Sequence, residues 1–128
     1  MGHSLQDIEE AIRASWGADT CYEPYLWDEG PPSRGQSGTS VMVLLDFLGG
    51  EILEAKVYRG DQLLEHHYWV RLPSGVEVDL TRDQYGDEFT IGEPVVRQRP
   101  RRLRSKAAEQ YQALLDRVTA ELERRGAG

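Results

Sequence analysis

Residues 33–41 read SRGQSGTSV, and Ser37 stands there between a glycine-bounded turn and an apolar periodic run. A hydroxyl at the first turn of a helix lies beside backbone N–H groups that have no intrahelical partner. Such a position favours developing negative charge, which makes Ser37 a candidate nucleophile. A serine nucleophile needs a general base. The stretch HHYWVRLPSGVEVDLT, residues 66–81, carries His66, His67 and Asp79 around a turn. An imidazole held by a carboxylate and facing a serine is the machinery of acyl transfer.

Only one of the adjacent histidines can face a given site, because neighbours on a strand point to opposite faces. Pro73-Ser74-Gly75 fits a three-residue hairpin loop, in which Pro fixes φ and Gly takes the left-handed position. That loop pairs Leu72 with Val76 and therefore Trp69 with Asp79. His67 shares the face of Trp69 and becomes a diagonal neighbour of Asp79. A two-residue loop would bring His66 into line instead. The turn chemistry selects His67. A surface His–Asp pair without catalysis is the plain alternative, and the pattern alone does not bring that face to Ser37.

Several elements must position these groups. Leu5, Ile8, Ile12 and Trp16 recur at helical spacing behind a Ser4/Asp7 capping box, predicting an amphipathic helix over 5–16. Residues 17–36 lack periodicity and read as a long loop, with Trp27 either covering a cleft or filling the core. From Ser37, Val41, Leu44, Leu45 and Leu48 form a helical stripe, while Met42, Val43 and Phe47 add apolar positions on other faces. A helix apolar nearly all round is a buried one. Gly49-Gly50 ends it. EILEAKVYR, QLLEHHYWVRL and VEVDLT read as successive strands joined at Gly60-Asp61 and Pro73-Ser74-Gly75. Residues 83–100 are turn-rich, with a short strand expected at TIGEPVV. A long amphipathic helix follows over 104–125. The class is α+β, one domain over 4–125, with helices flanking an antiparallel meander.

Composition narrows the function. The 128-residue chain suits one domain. No apolar run approaches the ~20 residues that span a bilayer, and no signal-peptide core opens the chain, so a cytoplasmic protein without membrane partners is expected. Met1, Gly2 and His3 are read as a cloning remnant. One cysteine, Cys21, excludes an intrachain disulfide and a cysteine-rich zinc site. The net charge is −7, but RQRPRRLRSK over 97–106 holds six basic groups, leaving nine basic against 22 acidic residues elsewhere. An acidic body argues against a broad nucleic-acid footprint. The basic segment reads as a solvated connector.

Gly35-Gln36-Ser37, Asp46-Phe47-Leu48-Gly49-Gly50-Glu51-Ile52-Leu53, His67-Tyr68-Trp69 and Asp79-Leu80-Thr81-Arg82-Asp83-Gln84-Tyr85 together resemble the YunG-like family of small bacterial proteins. Trp16, Thr20, Trp27 and Pro32 match its N-terminal landmarks. The resemblance covers most of residues 8–117. It implies a papain-like, NlpC/P60-like core, with a cysteine opening the central helix and a histidine and an acidic residue on successive strands. The family motif reads Gly-Gln-Cys where this chain reads Gly-Gln-Ser. Ser40 stands where the family usually has Thr, and Val70 where an Asn commonly follows the Trp. The change at position 37 matters chemically. A thiol beside a histidine ionises readily, whereas a hydroxyl must be deprotonated during attack.

The expected function is therefore hydrolysis or acyl transfer on an amide, ester or thioester of a small molecule or peptide. Ser37, as an engineered or natural replacement of the family's Cys, holds the nucleophile position, His67 is the base and Asp79 its orienter. The Ser37 backbone N–H and the Gln36 side chain supply the oxyanion site, with Trp27 and Trp69 near the substrate. No cofactor or metal is implied. The alternative is a non-catalytic binding module using the same cleft, and a third reading uses residues 97–106 to bind nucleic acid or an acidic partner.

Overall fold

The computed structural model describes residues 3–127. Helix α1 spans Leu5–Ser15, and its N-terminus is closed by the expected reciprocal bonds between Ser4 and Asp7. Helix α3 spans Ser37–Leu48, and four consecutive residues in it, Val41 to Leu44, are buried. Such a run covers every side of a helix, as its all-round apolar sequence requires. At its end Gly49 adopts φ 72° and its N–H donates to the Leu45 carbonyl. Helix α4 spans Ser105–Ala127 and packs on both α1 and α3.

The segment between α1 and α3 is more ordered than its composition suggests. It folds a 3₁₀ turn at Ala18–Thr20 and a one-turn helix, α2, at Leu26–Glu29. Neither is long enough to show periodicity. Hydrogen bonds hold the segment instead, including Tyr22 N–H to Gly35 O at 2.8 Å.

Five strands form one antiparallel sheet: β1 Glu51–Arg59, β2 Gln62–Arg71, β3 Glu77–Val78, β4 Phe89–Ile91 and β5 Val95–Arg97. β1 and β2 make the long hairpin, with a register irregularity at Val57/Tyr58. β2 pairs β3 with Val70 opposite Val78, and Leu72 N–H donates to Val76 O. This is the register that the Pro-Ser-Gly loop predicts. The third strand is shorter than VEVDLT, because the Asp79 side chain accepts the Thr81 N–H at 3.3 Å and turns the chain. The single strand expected at TIGEPVV is two strands. β4 and β5 both pair the free edge of β1, and the register advances by one residue between them. Pro94 has no N–H for a ladder, and Gly92 N–H donates to Lys56 O, so the break falls at 92–94.

The two faces of the sheet differ. Ile52, Tyr68, Val70, Val78 and Leu80 pack with α1, α3 and α4 in the main core. Leu53, Ala55 and Trp69 form a small second cluster with Ile91 on the other face. β1 pairs Leu53 with Trp69 and Ala55 with His67, so His67 belongs to this second face.

Candidate functional site

His67 is fully buried, and both oxygens of Asp79 lie 2.8 and 2.9 Å from its Nε2. An ionised carboxylate only accepts, so Nε2 carries the proton that Asp79 takes. Nδ1 has no hydrogen-bond partner among the described residues. Trp69 stacks on the ring at 5.5 Å, and Tyr85 meets it edge-on at 5.1 Å. The Tyr85 hydroxyl donates to Glu65 at 3.2 Å. Burial first, then the Glu65 charge, pushes the Tyr85 phenol well above the ordinary range.

Ser37 opens α3, and no side chain caps the first turn of that helix. The turn before it is tightly fixed. Gly35 has φ 76°, and a β-carbon there would meet Cys21 Sγ at 2.6 Å, so only glycine fits. Gln36 is fully buried. Its Oε1 accepts from Thr20 Oγ1 at 2.8 Å, and its Nε2 donates to Gly17 O at 3.1 Å. These bonds correct the reading of the Gln36 amide as an oxyanion donor: it ties α3 to the Gly17–Thr20 turn. The sequence signal was Thr20, sixteen residues earlier, and nothing local connects the two.

The expected triad is half closed. His67 and Asp79 are joined, but no hydrogen bond links Nδ1 to Ser37. Ser37 instead borders a groove of about 700 Å³, whose other walls include Met42, Ile52, His66, Tyr68 and Leu103. Thus His66 and Tyr68, on the α3 face of β2, share the groove with Ser37, while His67 projects to the opposite face. Alternation along the strand is the cause. Trp27 is half-buried against the main core, and Trp69 donates its Nε1–H to Glu77 at 2.7 Å. Neither lines the groove.

Sequence reasoning also missed the groove's polar centre. Glu54 accepts from Arg97 Nε at 2.9 Å and lies 3.7 Å from His66 Nδ1. Its pKa is lowered: burial works against the charge, but bonds from Arg97 and Tyr68 outweigh it. Burial and Glu54 together push the Tyr68 phenol up to about 12. Arg97 was legible only as part of a basic run. Arg99 of the same run donates to Asp46 and, at 3.0 Å, to Tyr111. Lys106 faces Glu23 at 3.5 Å. Arg101, Arg102 and Arg104 make no ion pair among the described residues.

Among the described residues no three His, Cys, Asp or Glu side chains gather where they could hold a metal ion. Among the described residues no helix is long and apolar enough to cross a membrane. Cys21 is buried, its Sγ 3.2 Å from Arg34 O, and burial raises its pKa.

These features define an α+β domain with a buried His–Asp pair on one face of its sheet and a groove bordered by Ser37 on the other. The family model described as YunG protein matches residues 4–123, and the chain belongs to that family. No curated protein and no solved structure matches the chain significantly.

Proposed function

We propose that the chain is a papain-like acyl-transfer enzyme or hydrolase, with Ser37 in the nucleophile position and a small molecule or peptide as substrate. The observation that carries this reading is the closed His67–Asp79 pair; because His67 projects to the face of β2 opposite the groove, the reaction requires a movement that brings its ring to Ser37. Asp79 takes Nε2, so the nitrogen left for proton transfer is Nδ1. In the proposed reaction Ser37 Oγ attacks the carbonyl carbon of an amide, ester or thioester, and its proton passes to Nδ1. The leaving group departs with that proton. Water or a second acceptor then releases the acyl group, again through His67. The first N–H groups of α3 would stabilise the oxyanion. The groove beside Ser37 would hold the remainder of the substrate.

A non-catalytic binding module is the second reading. It is favoured by the absence of a hydrogen bond between Ser37 and a fully buried His67. One experiment separates the two. In a Cys21→Ser background, Ser37→Cys introduces a thiol at the site. Activation by His67 and the helix start lowers a thiol pKa from the ordinary ~8.5. Alkylation should then stay fast at pH values where an ordinary cysteine is silent, and His67→Ala should abolish that advantage. An ordinary pH profile for the introduced thiol would leave the binding module as the function.

A further inference from the structure

The two halves of the proposed machinery sit on different turns. Ser37 follows the 33–36 turn, and Asp79 opens the turn that continues to Tyr85. One side chain fastens these turns to each other. The Gly35 N–H donates to Gln84 Oε1 at 3.2 Å, and Gln84 Nε2 donates to Thr81 O at 3.0 Å. The amide can point only one way, because a backbone N–H demands the oxygen and a carbonyl demands the nitrogen. Gly35 is two residues before Ser37. Thr81 is two residues after Asp79, whose carboxylate accepts the Thr81 N–H.

We infer that Gln84 is a positioning residue, which sets the placement of Ser37 relative to the His67–Asp79 pair. The inference rests on the acyl-transfer reading. Four features support it. Gly35 is held from the other side as well, its carbonyl accepting the Tyr22 N–H at 2.8 Å. Gln36 is locked by Thr20 and Gly17, so any shift of the 33–36 turn carries Ser37 with it. Gln84 also borders the same groove as Ser37. The adjacent Tyr85 is edge-on to the imidazole, so the 82–85 turn holds the His67 ring as well as the Ser37 turn. Gln84 itself takes no part in the proton transfer. Its role is to keep two rigid turns in one register, where a small displacement lowers a rate by a large factor.

The test uses the full chain carrying Cys21→Ser and Ser37→Cys. Gln84→Met keeps the side-chain length and removes both hydrogen bonds. The pH profile of iodoacetamide alkylation is measured with and without this change, beside a thermal melt. Leu114→Ala, a core change on α4, supplies a destabilised control. We expect Gln84→Met to raise the apparent pKa of the introduced thiol by about one unit, which slows alkylation about tenfold well below that pKa. Leu114→Ala should lower the melting temperature without moving the profile. An activated thiol whose profile Gln84→Met leaves in place would overturn the positioning role alone. So would an equal shift in Leu114→Ala, since loss of stability would then be the cause. A thiol that is ordinary even with Gln84 intact would overturn the acyl-transfer reading, and this inference with it.

Discussion

Asp79 and His67 stand on neighbouring strands with both carboxylate oxygens within 2.9 Å of one ring nitrogen, and the ring is fully buried. Removing the acceptor leaves a buried N–H unpaired. Asp79→Ala should therefore destabilise the fold by about 1–3 kcal/mol in urea titration, whatever the chemistry of the site. Asp79→Asn retains a carbonyl oxygen as acceptor and should cost less. Equal stabilities for the wild type and Asp79→Ala would show that the pair contributes nothing.

Gly50 makes a sharper claim about the backbone. Its φ is 110°, and a β-carbon would lie 2.3 Å from the Arg71 carbonyl oxygen. Neither backbone can yield, because Arg71 is paired with Glu51 in the β1–β2 ladder. Gly60 has φ 61° with no neighbour within 4 Å of an added β-carbon. Gly60→Ala should cost only the left-handed penalty of about 1–2 kcal/mol. Gly50→Ala should cost more, on the order of 3 kcal/mol, since overpacking adds to the strain. Comparable melting temperatures for the two variants would contradict this close approach.

The basic segment divides into used and unused charges. Arg97 and Arg99 are knitted to Glu54, Asp46 and Tyr111. Arg101 and Arg102 are exposed on a bend, and Arg104 is exposed just before α4. Replacing Arg101, Arg102 and Arg104 together by Ala should change stability by less than about 0.5 kcal/mol per site and leave thiol alkylation at position 37 unaltered. Tight, salt-sensitive binding of RNA or DNA that vanished in the triple variant would reverse the assignment of this segment as a connector.

What could be read from the chain was mostly local. The Ser4–Asp7 box, the Gly49–Gly50 stop and the Pro73–Gly75 turn each lie within a few residues of the structure they dictate. The hairpin register, and with it the His67–Asp79 pair, followed from one turn. The rest depended on distant partners. Gln36 looked available until Thr20 and Gly17 were seen to hold its amide. Arg97 looked like one charge in a run until Glu54 took it across the sheet. The relation of His67 to Ser37 failed at the same level. Alternation gives the relative faces of two residues on one strand, but not which face a distant helix will cover. Gln84 was visible in the sequence beside Tyr85, yet its value lies in a bond to Gly35, forty-nine residues away.

The tyrosines link this packing to pH. Burial and Glu54 raise the Tyr68 phenol to about 12, burial and Glu65 raise Tyr85 further, and burial and Asp46 raise Tyr111. In the unfolded chain a phenol loses its proton near pH ~10. Below that pH both states are protonated, and the stability contributed by these groups is fully present. As pH rises beyond ~10, the unfolded chain releases protons that the fold still holds, so stability falls until the folded phenols ionise. Phenolate absorbance followed from neutral pH upward should show tyrosines that resist titration until the protein unfolds. Tyr85→Phe removes one such group together with its bond to Glu65. It should lower stability slightly at neutral pH, by about 0.5–1.5 kcal/mol, and make the alkaline decline between pH ~10 and about 12 shallower. If the decline kept its slope in Tyr85→Phe, the edge-on packing of Tyr85 against His67 would not shield its hydroxyl.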